Sequence, residues 1–433
     1  MRSAAFVRRA IVQQAHLRSS AVASRPLLMR RVVGALRHTT LLLPSRAALS
    51  TVAAPSQHVK IERSTELKEV QFKTTGAIKV EVNIRPSLGE HVEVNVHGPG
   101  GDDAFRVQQT SNALVQIIED DLKMPVSVDL HVPVMLGLQL SLVQGSVHFH
   151  DKIEGDVRVT TGAGDIHVNK VRGMKLQFTT NNGAIRVSNL LEGENIVLSA
   201  KQVDCKKMMA KFADVKLTRT PEALDSAFGA LYVAQAVVSS VSTGSLRVGN
   251  IHGALDIKSQ DASLIHVGSV NGSLHVEDVG DNCDIDVHFD SLHQLADGEH
   301  ASDLSCGGQI TISVEPSLEA RLEMHAEAVA TDGCSFEDLE LDQLDEDYVI
   351  ASGVLIPQAA AASSSSSSGK INLAGAKDSA MTTSFFSSSP SDDDAPEESK
   401  LPTIFAHACS GKIAVSQLNW MDKIRRKHAP KSM

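Results

Sequence analysis

The chain has 433 residues, of which 42% are hydrophobic but only 3% aromatic, so its core must be built from Val, Ile and Leu, residues that favour strands. The formal net charge is −11; setting aside the nine Arg of the first 59 residues leaves 32 basic residues against 52 acidic ones, a net charge of −20. A body of that sign repels nucleic acid and anionic membrane, and no apolar run approaches the ~20 residues of a membrane span.

Residues 1–52 read as a mitochondrial transit peptide. They hold nine Arg and no acid (the first acidic residue is Glu62), and pairs such as Arg8-Arg9 and Arg30-Arg31 alternate with Ala, Val and Leu. The expected address is the matrix; a plastid address would use similar composition. A secretory signal fits badly, because the apolar stretch at 41–43 comes only after a long basic segment and stops at Pro44.

Residues 60–135 alternate cleanly. Ile78, Val80, Val82 and Ile84 form one period-2 run, Val92, Val94 and Val96 a second, and Val126, Val128, Leu130 and Val132 a third. Gly-Pro-rich loops separate them, so this segment is expected to be a hairpin cap over the open end of a repeat region that begins at residue 136.

From residue 136 to 356 the chain repeats. Gly145, Gly164 and Gly183 are 19 apart, as are Val147, Ile166 and Ile185, and Phe149, Val168 and Val187. Between residues 188 and 228 the Gly register is lost, with an outward loop at 218–224. It returns with 19 residues between Gly253 and Gly272, and Gly308 begins a later echo. Two short period-2 strands in each unit of about 19 residues predict an all-β chain, a single-stranded parallel β-solenoid (β-helix). Glycines would sit at its corners, and Thr or Asn at equivalent corners would stack. The rival is an antiparallel sandwich, whose strands need no common period.

Residues 357–403, rich in Ser and then in Asp and Glu, are too polar to pack and are expected to be a disordered insertion. Strand-like units at 369–373 and 411–415 interrupt it, so residues 404–433 are expected to supply a terminal strand, with Trp420 closing the core, and a basic tail. The five cysteines are scattered and match no disulfide framework or zinc ribbon, which predicts reduced, buried thiols.

In a Gly-x-Val-x-Val unit the middle residue faces outward, so a 19-residue step builds surface columns. His148, His167 and Arg186 form the candidate binding column. Arg158 with Gln177, Arg247 with His266, and Asp256 with His275 form three more. The first could take an anion or, less well, a metal, since two His lack the third ligand a stable site needs; a solvated sheet face is the plainer expectation. His148, His150 and Asp151 could chelate weakly. The acidic run 337–347 lacks the spacing of a calcium loop and reads as flexible surface. No nucleophile elbow, phosphate loop, dinucleotide fingerprint or zinc-protease motif occurs. No catalytic, cofactor or metal residues are therefore assigned.

The Gly-Asp-Val-x-Val unit at 155–159, with the step Val-Asp-Leu-His-Val-Pro-Val at 128–134 ahead of it, resembles the bacterial adhesin-type β-solenoid domain family, whose function is unknown. The segment from Gly411-Lys-Ile-Ala-Val415 to Asn419-Trp420 is similar to organelle-targeted eukaryotic relatives. The resemblance covers about residues 70–315 and, more loosely, 340–420. It implies a fold, and offers no catalytic residues. The expected function is a mitochondrial, non-catalytic binding or scaffold surface for a protein partner, as a monomer or an edge-paired oligomer. The alternative is a β-helix enzyme acting on a carbohydrate or other polymer, which would gather carboxylates in one groove.

Overall fold

A computed structural model describes most of residues 56–418, with 294–300 and 359–400 the longest internal stretches outside the described residues. The leader, the Ser-rich and acidic segment with its 369–373 unit, and Trp420 with the basic tail lie outside them. The described residues are all-β, with 24 strands joined in one long sheet whose neighbours are mostly parallel. Among them no helix is long and apolar enough to cross a membrane.

The N-terminal strands are β1 (Gln57–Glu62), β2 (Glu69–Lys73), β3 (Val80–Pro86), β4 (His91–His97), β5 (Phe105–Ser111), β6 (Leu114–Glu119) and β7 (Val126–Val132). Consecutive hairpins are expected here, but only β5 and β6 make one. β2 and β3 instead lie parallel between β6–β7 on one side and the next strand, β8 (Gly137–Glu154), on the other. Val70 faces both Val115 and Leu138, and Val82 faces both Val128 and Val147. Their alternation matches that of β8, so Val70, Phe72, Val80, Val82 and Ile84 all enter the same core. β7, β4 and β1 then continue outward in antiparallel order.

The middle of the sheet is β8, β9 (Val157–Ala163), β10 (Ile166–Thr180), β11 (Ala184–Ala200), β12 (Gln202–Leu217), β13 (Ser226–Ser240), β14 (Ser245–Ser259) and β15 (Leu264–Asp278). Every neighbour is parallel. Val147 faces Ile166, Ile166 faces Ile185, and Ile185 faces Val203. The register runs through β12 and β13 despite the lost glycines, because residues 218–225 leave the sheet as a loop and return in phase. Inward residues such as Phe149 and Phe178 are buried, their rings edge-to-face at 6.0 Å. Such a pair contributes about 1 kcal/mol beyond its buried area.

The repeated glycines have a steric cause. Gly164 has φ +135°, and a Cβ placed on it would lie 2.1 Å from the Gly145 carbonyl oxygen, so neither the backbone conformation nor the packing admits a side chain. The corner threonines Thr161 and Thr180 are buried and stand at equivalent positions, but they do not bond to one another. Thr161 donates to the Gly145 carbonyl at 3.0 Å and Thr180 to that of Gly164 at 2.8 Å.

The last strands are β16 (Asp284–Leu292), β17 (Ser302–Cys306), β18 (Ile310–Val314), β19 (Ala320–Ala326), β20 (Ala328–Ala330), β21 (Phe336–Asp345), β22 (Tyr348–Leu355), β23 (Thr403–Ala408) and β24 (Lys412–Gln417). β23 pairs parallel with β17 and β24 with β18, across the whole 315–402 segment. β19 and β20 lie parallel on the far side of β23 and β24, and β22 and β21 come next in antiparallel order. The acidic run expected to be flexible surface is the exposed strand β21. Cys205, Cys283 and Cys306 are buried free thiols; burial pushes Cys205 and Cys306 up to about 12, so they stay protonated and inert.

Candidate binding groove

The residues expected to form a column do meet. His148 and His167 stand opposite each other on β8 and β10, and His167 stands opposite Arg186 on β11. The two imidazoles stack with centroids 4.7 Å apart and planes 4° from parallel. His150 lies beside His148 at 6.1 Å, and its Nε2 is 2.9 Å from Asn83 Oδ1. Asp165, two residues before His167, accepts from the Ala184 N–H at 2.9 Å and from Arg186 Nη1 at 2.7 Å.

The charge state is set by these contacts. Burial disfavours protonation of His148, and the neighbouring His167 adds to this; Glu81, 3.8 Å away, does not outweigh them, so its pKa lies below the ordinary histidine value. His167 is lowered by burial and then by Arg186, against the pull of Asp165. Burial pushes the Asp165 carboxyl up, but the Ala184 N–H and Arg186 outweigh it and hold it below its usual range. Arg186 is thus committed to Asp165, and the histidine pair is favoured in its neutral form. The column does not offer the concentrated positive charge an isolated anion site requires.

The larger feature is that this column is part of a much longer row. On one side the register carries it from His148 through Asn83, Asp129 and Asn95 to His58. On the other it passes from Arg186 through Asp204, Ala227, Arg247, His266 and Asp286 to Thr311. Two columns that look separate in the sequence, His148–His167–Arg186 and Arg247–His266, are one. The unequal steps across β11, β12 and β13 hide this, since the period of 19 fails there. Parallel strands spaced roughly 4.8 Å apart make the row tens of ångströms long.

The row borders a groove. Three shallow depressions of about 480, 540 and 620 Å³ succeed one another along it. Asp204 lines both the first and the second, and Gly249 and His266 line both the second and the third. Gly229, Gly249 and Gly268 stack on one another beside the row and contribute no side chains, which opens the floor. Acids meet basic side chains at two places on the rim: Asp165 with Arg186, and Asp286 Oδ2 3.1 Å from His266 Nδ1. The row's acids are interleaved with cations rather than gathered.

The remaining expected columns form a second row on another part of the surface. Arg158 Nε donates to Gln177 Oε1 at 3.0 Å, and Asp256 stands opposite His275. Toward the N-terminal end that row continues as a glutamine ladder, Gln116 to Gln71 at 3.0 Å and Gln71 to Gln139 at 3.2 Å.

No family model matches the chain, and no curated protein matches it. Among solved structures it is similar to a putative adhesin from Parabacteroides distasonis ATCC 8503, at 16% identity over 55% of this chain and 96% of that one, with a TM-score of 0.38. A putative adhesin from Bacteroides fragilis NCTC 9343 matches at 12% identity over 53% of this chain and 97% of that one, TM-score 0.34. A protein from Parabacteroides distasonis ATCC 8503 described as a putative lipid binding protein matches at 14% identity over 60% and 87%, TM-score 0.25.

Proposed function

We propose that the chain is a non-catalytic binding or scaffold protein of the mitochondrial matrix. In this reading it is one β-solenoid of about 19 residues per coil, capped at both ends by antiparallel strands, and its groove receives an extended segment of a partner protein. The observation that carries the proposal is the unbroken outward row beside a glycine-floored groove. A rigid row that mixes donors and acceptors suits a peptide, whose own backbone and side chains offer both. The interleaving of Asp165, Asp204 and Asp286 with Arg186, Arg247 and His266 supports recognition over glycoside hydrolysis, which needs a carboxylic acid and a carboxylate facing one bond. The leader's composition supports the address.

Cross-linking with mass spectrometry in mitochondria tests the groove. A partner cross-linked to the wild type should be lost from an Arg186→Ser, Arg247→Ser, His266→Ser variant that melts normally, and kept by Arg158→Ser on the second row. Equal capture by both variants would sink the proposal. The address is tested separately: a tagged chain lacking residues 1–50 should fail to enter mitochondria, and import of that chain would remove the address while leaving the groove.

A further inference from the structure

At the far end of the groove, β16 and β18 bring together three side chains that spacing in the sequence does not connect. His288 and Asp290 stand two apart on β16. Phe289 pairs with Val314 of β18, so the next step of the register sets Asp290 beside Glu315. One ligand atom from each of His288, Asp290 and Glu315 lies within 4.8 Å of the others. The imidazole is buried, 4% exposed, and lines the last depression, and the two carboxylates are half-buried.

The contacts of Ser313 accommodate the His288 tautomer that aims a lone pair at the two carboxylates. The Ser313 hydroxyl has one proton and donates it to the Val287 carbonyl at 3.2 Å. With its proton so placed, Ser313 Oγ accepts from the ring Nδ1–H across a contact of 2.8 Å. In the neutral imidazole Nε2 therefore carries a lone pair. That atom is buried and has no hydrogen-bond partner, although Asp290 Oδ1 is only 2.9 Å away. Ser269 Oγ donates to the other Asp290 oxygen, so a lone pair and one oxygen from each of two carboxylates face one point, an arrangement that a cation would stabilise. A proton on Nε2 would leave the group with a residual negative charge, whereas a divalent ion would balance it.

We propose that His288, Asp290 and Glu315 bind a first-row divalent transition-metal ion, with water from the open groove completing its shell. The imidazole favours iron, nickel, copper or zinc over calcium or magnesium, and the two carboxylates admit manganese as well. Ser313 is the outer partner that orients the ring, as such hydrogen bonds do at metal-bound histidines. Ligand atoms sharing one ion at about 2.1 Å lie roughly 3 to 4 Å apart, so a small side-chain adjustment closes the set. The proposal does not depend on the groove's occupant, and its test involves no partner.

The test is a Mn²⁺ titration of the full chain monitored by electron paramagnetic resonance, with the Asp290→Asn, Glu315→Gln double variant as the background. The wild type should take up one more equivalent than the double variant, and Zn²⁺ should displace it. Glu315→Gln alone and Asp290→Asn alone should each weaken that uptake at least tenfold without changing the melting curve. His148→Asn, on the remote part of the row, should bind like the wild type. Equal uptake by wild type and double variant would overturn the proposal, as would loss of the extra equivalent in His148→Asn.

Discussion

The middle of the sheet and its two ends are built from the same alternating strands but are ordered by different rules. From β8 to β15 each strand lies on the one that precedes it in the chain. At the N-terminal end β2 and β3 come first in sequence yet sit inside β6 and β7. At the C-terminal end β23 and β24 come last yet sit inside β19 and β20. The two ends mirror each other, and each finishes in antiparallel strands. A parallel stack can grow by short local steps, but its last strand leaves a row of unpaired N–H and C=O groups. At both ends the chain turns back to lay antiparallel strands beyond the parallel ones, and the inner position falls to a segment distant in sequence.

Substituting the stacked glycines puts the greatest strain on this division. Gly164→Val forces a side chain onto the Gly145 carbonyl and into a strained φ, and should cost at least ~3 kcal/mol, lowering or abolishing the thermal transition of the whole chain. In the C-terminal counterpart a Cβ on Gly411 would lie 2.0 Å from the Gly308 carbonyl oxygen. Gly411→Ala should therefore free the β19–β24 amides in hydrogen exchange while β10–β15 stay protected. If both variants opened the whole sheet equally, the distinction between middle and ends would fall.

Phe178→Ala, in the middle, should cost about 3 to 5 kcal/mol by cavity formation, measured by denaturant unfolding. Refolding kinetics should separate the two regions in time. Loop closure is entropically dearer over long separations, so β10–β15 amides should be protected in pulse labelling before those of β17 and β23, where Ser302 faces Ile404.

The smallest expected effect is on pH. His148 and His167 both have folded pKa values below the ordinary 6.5. The unfolded chain therefore binds more protons between the folded and unfolded values, so their contribution to stability is present above 6.5 and is lost as pH falls through the folded pKa. Both side chains are partly exposed, so the effect is a fraction of ~1 kcal/mol each. NMR titration of the ring protons should place both midpoints below 6.5, and His167→Asn should raise that of His148 by removing a neighbour that opposes its protonation.

What the residues alone reveal obeys the same division. The steps from Gly145 to Gly164 to Gly183 are legible because each loop between strands is short and constant, so spacing in the chain is spacing in the sheet. The strand nature of residues 69–86 is equally plain, but alternation says which way a side chain faces and not which strand lies alongside, so it does not place β2 and β3 next to β8. The acidic run of β21 reads as loose surface because both of its faces meet solvent and charge keeps an outer edge from pairing with another chain. The His148 column is legible and its extension is not, since the loop at 218–225 breaks the count while leaving the register intact. Glu315 is hidden beside His288 because the pairing of Phe289 with Val314 departs from the period of 19.

The inward placement of β23 and β24 has a consequence for how the protein is made. A ribosome delivers β18 and then the whole stretch from β19 through residue 402 before the strands that join them exist. Throughout that interval the nascent chain carries two open sheet edges, on β17–β18 and on β19–β20, each complementary to the same missing segment. Any extended peptide nearby can occupy them first.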